Sequence, residues 1–167
     1  MKNFTVREYV PQDNEADKDA YLPAYLGIWN DPENLKYLSF TIRPFDESLV
    51  RGWLENHKER GVRYLCAENE DNKILGIVAI ITSPTDGFEI TGMGVRSDSK
   101  RLGIGHKLIE KAIDMAIKLN YKAIDVAVFA DNKAMLTLCL SLDFIPREMG
   151  FNKRADGADI VHLKKYL

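Results

Sequence analysis

The sequence predicts an α/β domain: a mixed, mostly antiparallel sheet flanked by helices. Three observations carry the prediction. Arg63–Glu68 and Lys73–Thr82 read as strands joined by the polar turn Asn69–Asn72, a hairpin and therefore an antiparallel pair. Farther on, a strand candidate Glu89–Val95, an amphipathic helix reaching Asn120 and a second strand Lys122–Phe129 make one strand–helix–strand crossover, the connection that parallel neighbours need. Finally, 167 residues without a repeat, linker or low-complexity stretch suit a single domain covering 1–167. That length can bury about 70% of the unfolded surface.

Taken in order, Thr5–Tyr9 alternates as an opening strand and ends near Pro11. Asp13–Asp19 is acidic and polar, and Tyr21–Trp29 follows as a helix despite Pro23. Its aromatics, Tyr21, Tyr25 and Trp29, are expected in the core rather than against a ligand. Asn30-Asp31-Pro32 is a break, with Pro32 opening a second helix through Leu38. Pro44 precedes a third helix in which Leu49, Val50, Trp53 and Leu54 share a face, capped by Asp46 and ended by Gly61. In the helix reaching Asn120, Gly105, Leu108, Ile109, Ala112, Ile113, Ala116 and Leu119 form one apolar stripe. Ile124, Val126 and Val128 mark the next strand as buried. Asn132–Leu142 reads as a short helix, then Phe144–Phe151 and Ile160–Tyr166 as closing strands with Asp156-Gly157 between them.

The stretch that carries chemistry lies where Glu89–Val95 passes into the long helix. Lys100, Arg101, Gly103 and Gly105 stand at that junction. Glycine lets a ligand approach the main chain closely, and the first turn of a helix leaves N–H groups unpaired. Two basic side chains beside such donors suit a phosphate group. The spacing is not a P-loop, because His106-Lys107 follows Gly105 where Gly-Lys-Ser/Thr would be needed. A dinucleotide fingerprint would need a third glycine at Leu108, although Asp125 falls where its acidic residue would stand. A helix turn without any ligand is the plainer alternative.

Composition removes several classes. A net charge of −2 gives no basic field for nucleic acid. Two cysteines, Cys66 and Cys139, exclude a disulfide scaffold and suit a cytoplasmic protein. His57, His106 and His162 lack metal-ligand spacing, so no metal is expected. The N-terminus has no signal-peptide apolar core, and the longest apolar run, Ile74–Ile81, is too short to span a bilayer.

Two spaced motifs between residues 88 and 144 narrow the reading. Val95, Ser97, Lys100, Gly103 and Gly105 follow the pattern Val-x-Pro-x-x-Arg/Gln-x-x-Gly-x-Gly/Ala. Asn132, Leu138, Cys139, Asp143 and Phe144 follow Asn, five residues, then Leu-Tyr-x-x-x-Gly-Phe. In order, separation and context they resemble the GNAT superfamily of N-acetyltransferases. The resemblance implies acetyl-CoA as co-substrate and a sheet that splays in its middle. It implies that the main-chain N–H groups of Arg101, Leu102, Gly103, Ile104 and Gly105 hold the pyrophosphate, beside Lys100. The pantetheine arm would lie between Glu89–Val95 and Lys122–Phe129, bonded by the main chain of Met93 and Val95 and capped by Asn132. Beside Ser97 in place of Pro, three departures matter. Lys100 keeps a charge but lacks the guanidinium fork, Asp143 replaces a turn glycine, and Cys139 replaces a tyrosine.

Attack on a thioester by an amine requires loss of an ammonium proton. Glu89, six residues before Val95, is the candidate general base, with an exposed strand-end charge as the alternative. Period two sets it on the same side as Thr91, Met93 and Val95; Asp125 is an outside candidate. Cys139 stands where the family often has the tyrosine that protonates the leaving thiolate, and is a candidate general acid. A buried small apolar residue is the favoured reading there. The implied activity is acetyl transfer to a primary amine of a small molecule or peptide, by direct attack in a ternary complex. No G-x-S-x-G elbow marks a covalent route. A catalytically weak or inactive CoA-binding module and a nucleotide-binding regulatory protein are the alternatives. Related proteins enclose the acceptor between segments corresponding to 21–45 and 146–160, which offer Asp31, Glu33, Trp29, Tyr37, Phe40 and Phe151. A homodimer is left open.

Overall fold

The structure, a computed structural model, describes residues 3–85 and 87–167; Met1, Lys2 and Asp86 lie outside it. Strand β1 (Phe4–Tyr9) is followed by helices α1 (Glu15–Trp29), α2 (Pro32–Leu38) and α3 (Glu47–Glu59). The hairpin β2 (Val62–Asn69) and β3 (Ile74–Ser83) comes next, then β4 (Gly87–Val95), α4 (Ile104–Lys118) and β5 (Ala123–Phe129). Helix α5 (Lys133–Ser141) leads into β6 (Ile145–Gly150) and β7 (Ile160–Tyr166). All seven strands form one sheet in the order β1-β2-β3-β4-β5-β7-β6. Among the described residues only β4 and β5 pair in parallel, as the crossover through α4 requires.

The sheet buries both faces. Leu108, Ile109, Ala112 and Ala116 of α4 pack with Phe88, Ile90, Ile124 and Val126 on one side. Tyr21, Tyr25, Ile28 and Trp29 of α1 pack with Val50, Leu54 and Tyr64 on the other. The α1 aromatics are therefore core, with Tyr25 and Trp29 stacked at 4.2 Å between ring centroids. Two ends of predicted apolar faces open to solvent: Leu49 and Leu119 are both exposed.

Helix α1 starts six residues before Tyr21. Asn14 caps it, accepting from the Asp17 N–H at 3.0 Å. Within this acidic and polar stretch Asp17 is buried, and partners from the end of β1 and the turn after it satisfy its carboxylate. Arg7 donates to its carboxylate at 3.1 Å, and the Val10 N–H at 2.8 Å. Asp46 caps α3 as expected and Asp31, in the predicted break, caps α2, each accepting a main-chain N–H at 2.8 Å.

Strand β4 decides the site. Gly92 lies opposite Ala79 and Ile90 opposite Ile80, which leaves Thr91 as an extra residue, a bulge. The Thr91 hydroxyl donates to the Ala79 carbonyl at 3.2 Å. The bulge corrects the expected alternation. Met93 and Val95 pack against the same core as Phe88 and Ile90, so Glu89 does not share their side. It shares a face with Gly92 and Gly94, on which α1 lies closely: a Cβ on Gly94 would sit 2.5 Å from Ile28 Cγ2. Beyond the bulge β4 leaves β5. Their register stops after Phe88–Ile124, Glu89–Asp125 and Ile90–Val126, and the sheet splays.

Candidate active site

The turn between β4 and α4 is shaped by two left-handed residues, Arg101 (φ 63°) and Gly103 (φ 79°). Gly103 is the natural choice at such a φ; Arg101 adopts it at a cost of about 1–2 kcal/mol, the kind of strain that accumulates at binding loops. Helix α4 then begins at Ile104, and the Lys107 N–H is paired with the Gly103 carbonyl at 3.0 Å. The N–H groups ahead of it, in the first turn, have no intrahelical acceptor and point along the helix axis with its positive end. Lys100 flanks them and is held at 2.9 Å from Glu33 of α2. Asp31 accepts from the Ser97 hydroxyl, so α2 is tied to this turn twice.

Two adjoining cavities occupy the splay. The larger, about 420 Å³, runs from the α4 turn past Glu33, Asn34 and Met93 to Leu138. The smaller, about 200 Å³, lies beside Glu89 among Trp29, Tyr37, Phe40 and Phe129. Tyr37, Leu38, Met93, Asn132 and Met135 wall both. The Arg96 N–H donates to Leu75 of β3 at 2.9 Å, so strand alternation turns the main-chain groups of Met93 and Val95 away from β3, into the splay. Asn34, buried, donates to the carbonyls of Val95 (3.0 Å) and Ile28 (2.9 Å), and thereby occupies one of those groups. Asn132 caps α5 through the Met135 N–H at 3.2 Å and faces both cavities at once.

Of the candidate catalytic groups, only Glu89 reaches a cavity. Its surface is open to the cleft, yet the protein around it displaces water and raises its pKa, with the nearby Asp125 carboxylate adding to the rise. Asp125 itself is engaged by Lys164 at 2.8 Å. Cys139 lies in the core among α4 and sheet residues, walls neither cavity, and burial pushes its thiol up to about 12. Lys100, Arg101, Gly103, Ile104 and Gly105 all line the larger cavity, whereas the Leu102 side chain points to solvent. Trp29, Tyr37 and Phe40 wall the smaller one. Phe151 is 67% exposed and lines neither.

Arg154, in the loop between β6 and β7, is a residue that sequence reading passed over. It is buried, with its guanidinium bonded to Asp131 (2.7 Å), Asp156 (2.8 Å) and the Lys36 carbonyl (2.8 Å). It also lies 4.9 Å from the centre of the Phe129 ring. The adjacent Ala155 N–H donates to the Phe40 carbonyl at 2.8 Å. Loop 151–159 is thus clasped to the end of α2 and to the turn that carries Asn132. Asn34 and the Thr91 bulge were also missed. Nothing local in the sequence marks a side chain that reaches a carbonyl 118 residues away.

Among the described residues no helix is long and apolar enough to cross a membrane, and no group of three His, Cys, Asp or Glu side chains is placed to hold a metal.

Comparison with known proteins agrees with this geometry. The family model described as acetyltransferase (GNAT) family matches residues 18–144. No curated protein matches the sequence. Among solved structures, the chain is similar to an N-acetyltransferase from Staphylococcus aureus Mu50, with TM-score 0.80 and 19% identity over 98% of each chain. It is similar to a ribosomal-protein-alanine N-acetyltransferase from Brucella melitensis, with TM-score 0.79 and 24% identity over 98% of this chain and 99% of that one. A phosphinothricin acetyltransferase from Sinorhizobium meliloti, solved in complex with acetyl-CoA, gives TM-score 0.71 and 15% identity over 98% and 88%.

Proposed function

The chain belongs to the acetyltransferase (GNAT) family, whose co-substrate is acetyl-CoA, and on that premise we propose that it acetylates a primary amine bound beside Glu89. The observation that carries this is the meeting of two cavities at the splay, one leading to the glycine turn and the other to a carboxylate. The residues fit the co-substrate. First-turn N–H groups and Lys100 suit a diphosphate, and the outward main chain of Met93 and Val95 suits an amide-bearing arm. The cap residue Asn132 stands where both substrates would meet. Acetyl-CoA supplies the activated thioester; the protein supplies orientation, a proton acceptor and shielding from water.

Glu89 takes the proton that the amine must lose. An ordinary glutamate, near pKa ~4.3, is a weak base, and the rise in its pKa improves the match. The base works only when ionised, so kcat/KM should climb as pH rises through the elevated pKa. Glu89→Gln is expected to lower kcat/KM on the order of 10²-fold and to remove that acid limb. A pH–rate profile at saturating acetyl-CoA checks it; an unchanged limb rules Glu89 out.

Cys139 packs rather than donates. Cys139→Ala should keep most of the turnover and lose about 1–3 kcal/mol of stability through a small cavity, read by chemical denaturation and steady-state rates. A folded variant with a large kcat loss would instead make the thiol the acid. The missing tyrosine at that position favours a second reading, a CoA-binding module without turnover. Mass spectrometry after incubation with acetyl-CoA and an amine panel separates the two. Buried free thiols at Cys66 and Cys139 support a reducing, cytoplasmic setting.

A further inference from the structure

We propose that the acceptor is a compact primary amine with an apolar body and no carboxylate beside its nitrogen, rather than an amino acid or a protein terminus. This rests on the acetyl-transfer reading and narrows its substrate. Three features of the smaller cavity lead to it: a bridged side, apolar walls and the sign of its charge.

One side of the cavity, at Phe40 and Phe129, is bridged by loop 151–159. Loop 151–159 reaches across to the end of α2 through Arg154 to the Lys36 carbonyl at 2.8 Å and Ala155 to the Phe40 carbonyl at 2.8 Å. Arg154 is further pinned by Asp131 and Asp156, so the crossing is a fixed strap. An extended chain between the C-terminal hairpin and α2 would have to break buried charged bonds. At about 200 Å³ the space takes one small head group.

The walls are aromatic. Trp29, Tyr37, Phe40 and Phe129 surround the space that Glu89 enters, and Phe40 meets Phe129 edge-on at 5.3 Å. Rings of this kind favour an apolar body and tolerate an ammonium on their faces.

The charge is one-signed. Among the described residues lining the cavity, Glu89 is the one carboxylate and there is no lysine or arginine. Two nearby cations are committed elsewhere: Lys164 to Asp125, and Arg154 to Asp131 and Asp156. His162 and Arg60 act on Glu89 from outside the lining. An acceptor carboxylate would lose water, meet no lysine or arginine in the lining and repel Glu89. An ammonium meets a carboxylate that then removes its proton.

Three matched acceptors test this with the wild-type protein: 2-phenylethylamine, L-phenylalanine and a short peptide with an N-terminal phenylalanine. Acetyl-CoA binding is measured in parallel by calorimetry. The expected result is a kcat/KM for 2-phenylethylamine on the order of 100-fold or more above either of the others. Comparable or faster acetylation of L-phenylalanine overturns the charge argument, and comparable acetylation of the peptide overturns the strap. Binding of acetyl-CoA without transfer to 2-phenylethylamine overturns the proposed acceptor class while leaving the co-substrate reading intact. Absence of acetyl-CoA binding overturns both readings.

Discussion

Gly105→Glu is expected to weaken acetyl-CoA binding on the order of 10³-fold while leaving the protein folded. The backbone at Gly105 is helical, so a side chain brings no dihedral strain, unlike at Gly103 with its φ of 79°. A Cβ there meets only the ends of Met93 (3.3 Å) and Leu138 (3.5 Å), both flexible side chains lining the larger cavity. The new carboxylate therefore grows into the cavity, at a helix N-terminus that welcomes negative charge. It takes the place that a phosphate would use. Losing two charge-assisted hydrogen bonds, at about 1.5–3 kcal/mol each, is enough for that fall in affinity. Calorimetric titration with acetyl-CoA, beside a circular dichroism melt, checks both halves. A folded variant with unchanged affinity places the phosphates elsewhere.

Arg154→Met should cost about 2 kcal/mol of stability and flatten its dependence on acid. Breaking a fully buried pair costs about 3–5 kcal/mol, and the discount reflects Asp131 and Asp156, which keep 45% and 48% of their side-chain surface in water. The bond from Arg154 holds both carboxyls below their ordinary pKa. Stability from that source is complete above the ordinary carboxylate value and is lost as pH falls through the depressed ones. The variant lacks this loss, so its stability should vary less on the acid side. Urea denaturation at several pH values measures it; parallel curves for variant and parent would show that the cluster carries no linkage.

Much of the fold was legible because its signals are local. Asp31, Asp46 and Asn132 each cap the helix that follows within three residues, and the α4 stripe repeats at helical spacing. The glycine turn likewise shows itself in five consecutive residues. What escaped depends on residues distant in sequence. The Thr91 bulge is fixed by register with β3, so counting by twos from Glu89 put Met93 and Val95 on the wrong side. Asn34 reads as an ordinary helix residue until β4 brings the Val95 carbonyl to it across 61 positions. The charged run around Arg154 reads as a solvated loop, because nothing nearby announces Asp131 or Lys36.

The short β4–β5 pairing has a consequence for how the molecule comes apart. With register over only three residue pairs there, the sheet is two plates, β1–β4 and β5-β7-β6, meeting along a seam. Helix α4 leans on strands of both plates and acts as their staple. Opening along the seam sacrifices few main-chain bonds, so it is the natural boundary between cooperative units. A co-substrate lying in that gap and bonding to β4 on one side and the α5 cap on the other would bridge the plates. Occupancy and rigidity would then be the same variable, the enzyme without its co-substrate being the looser form.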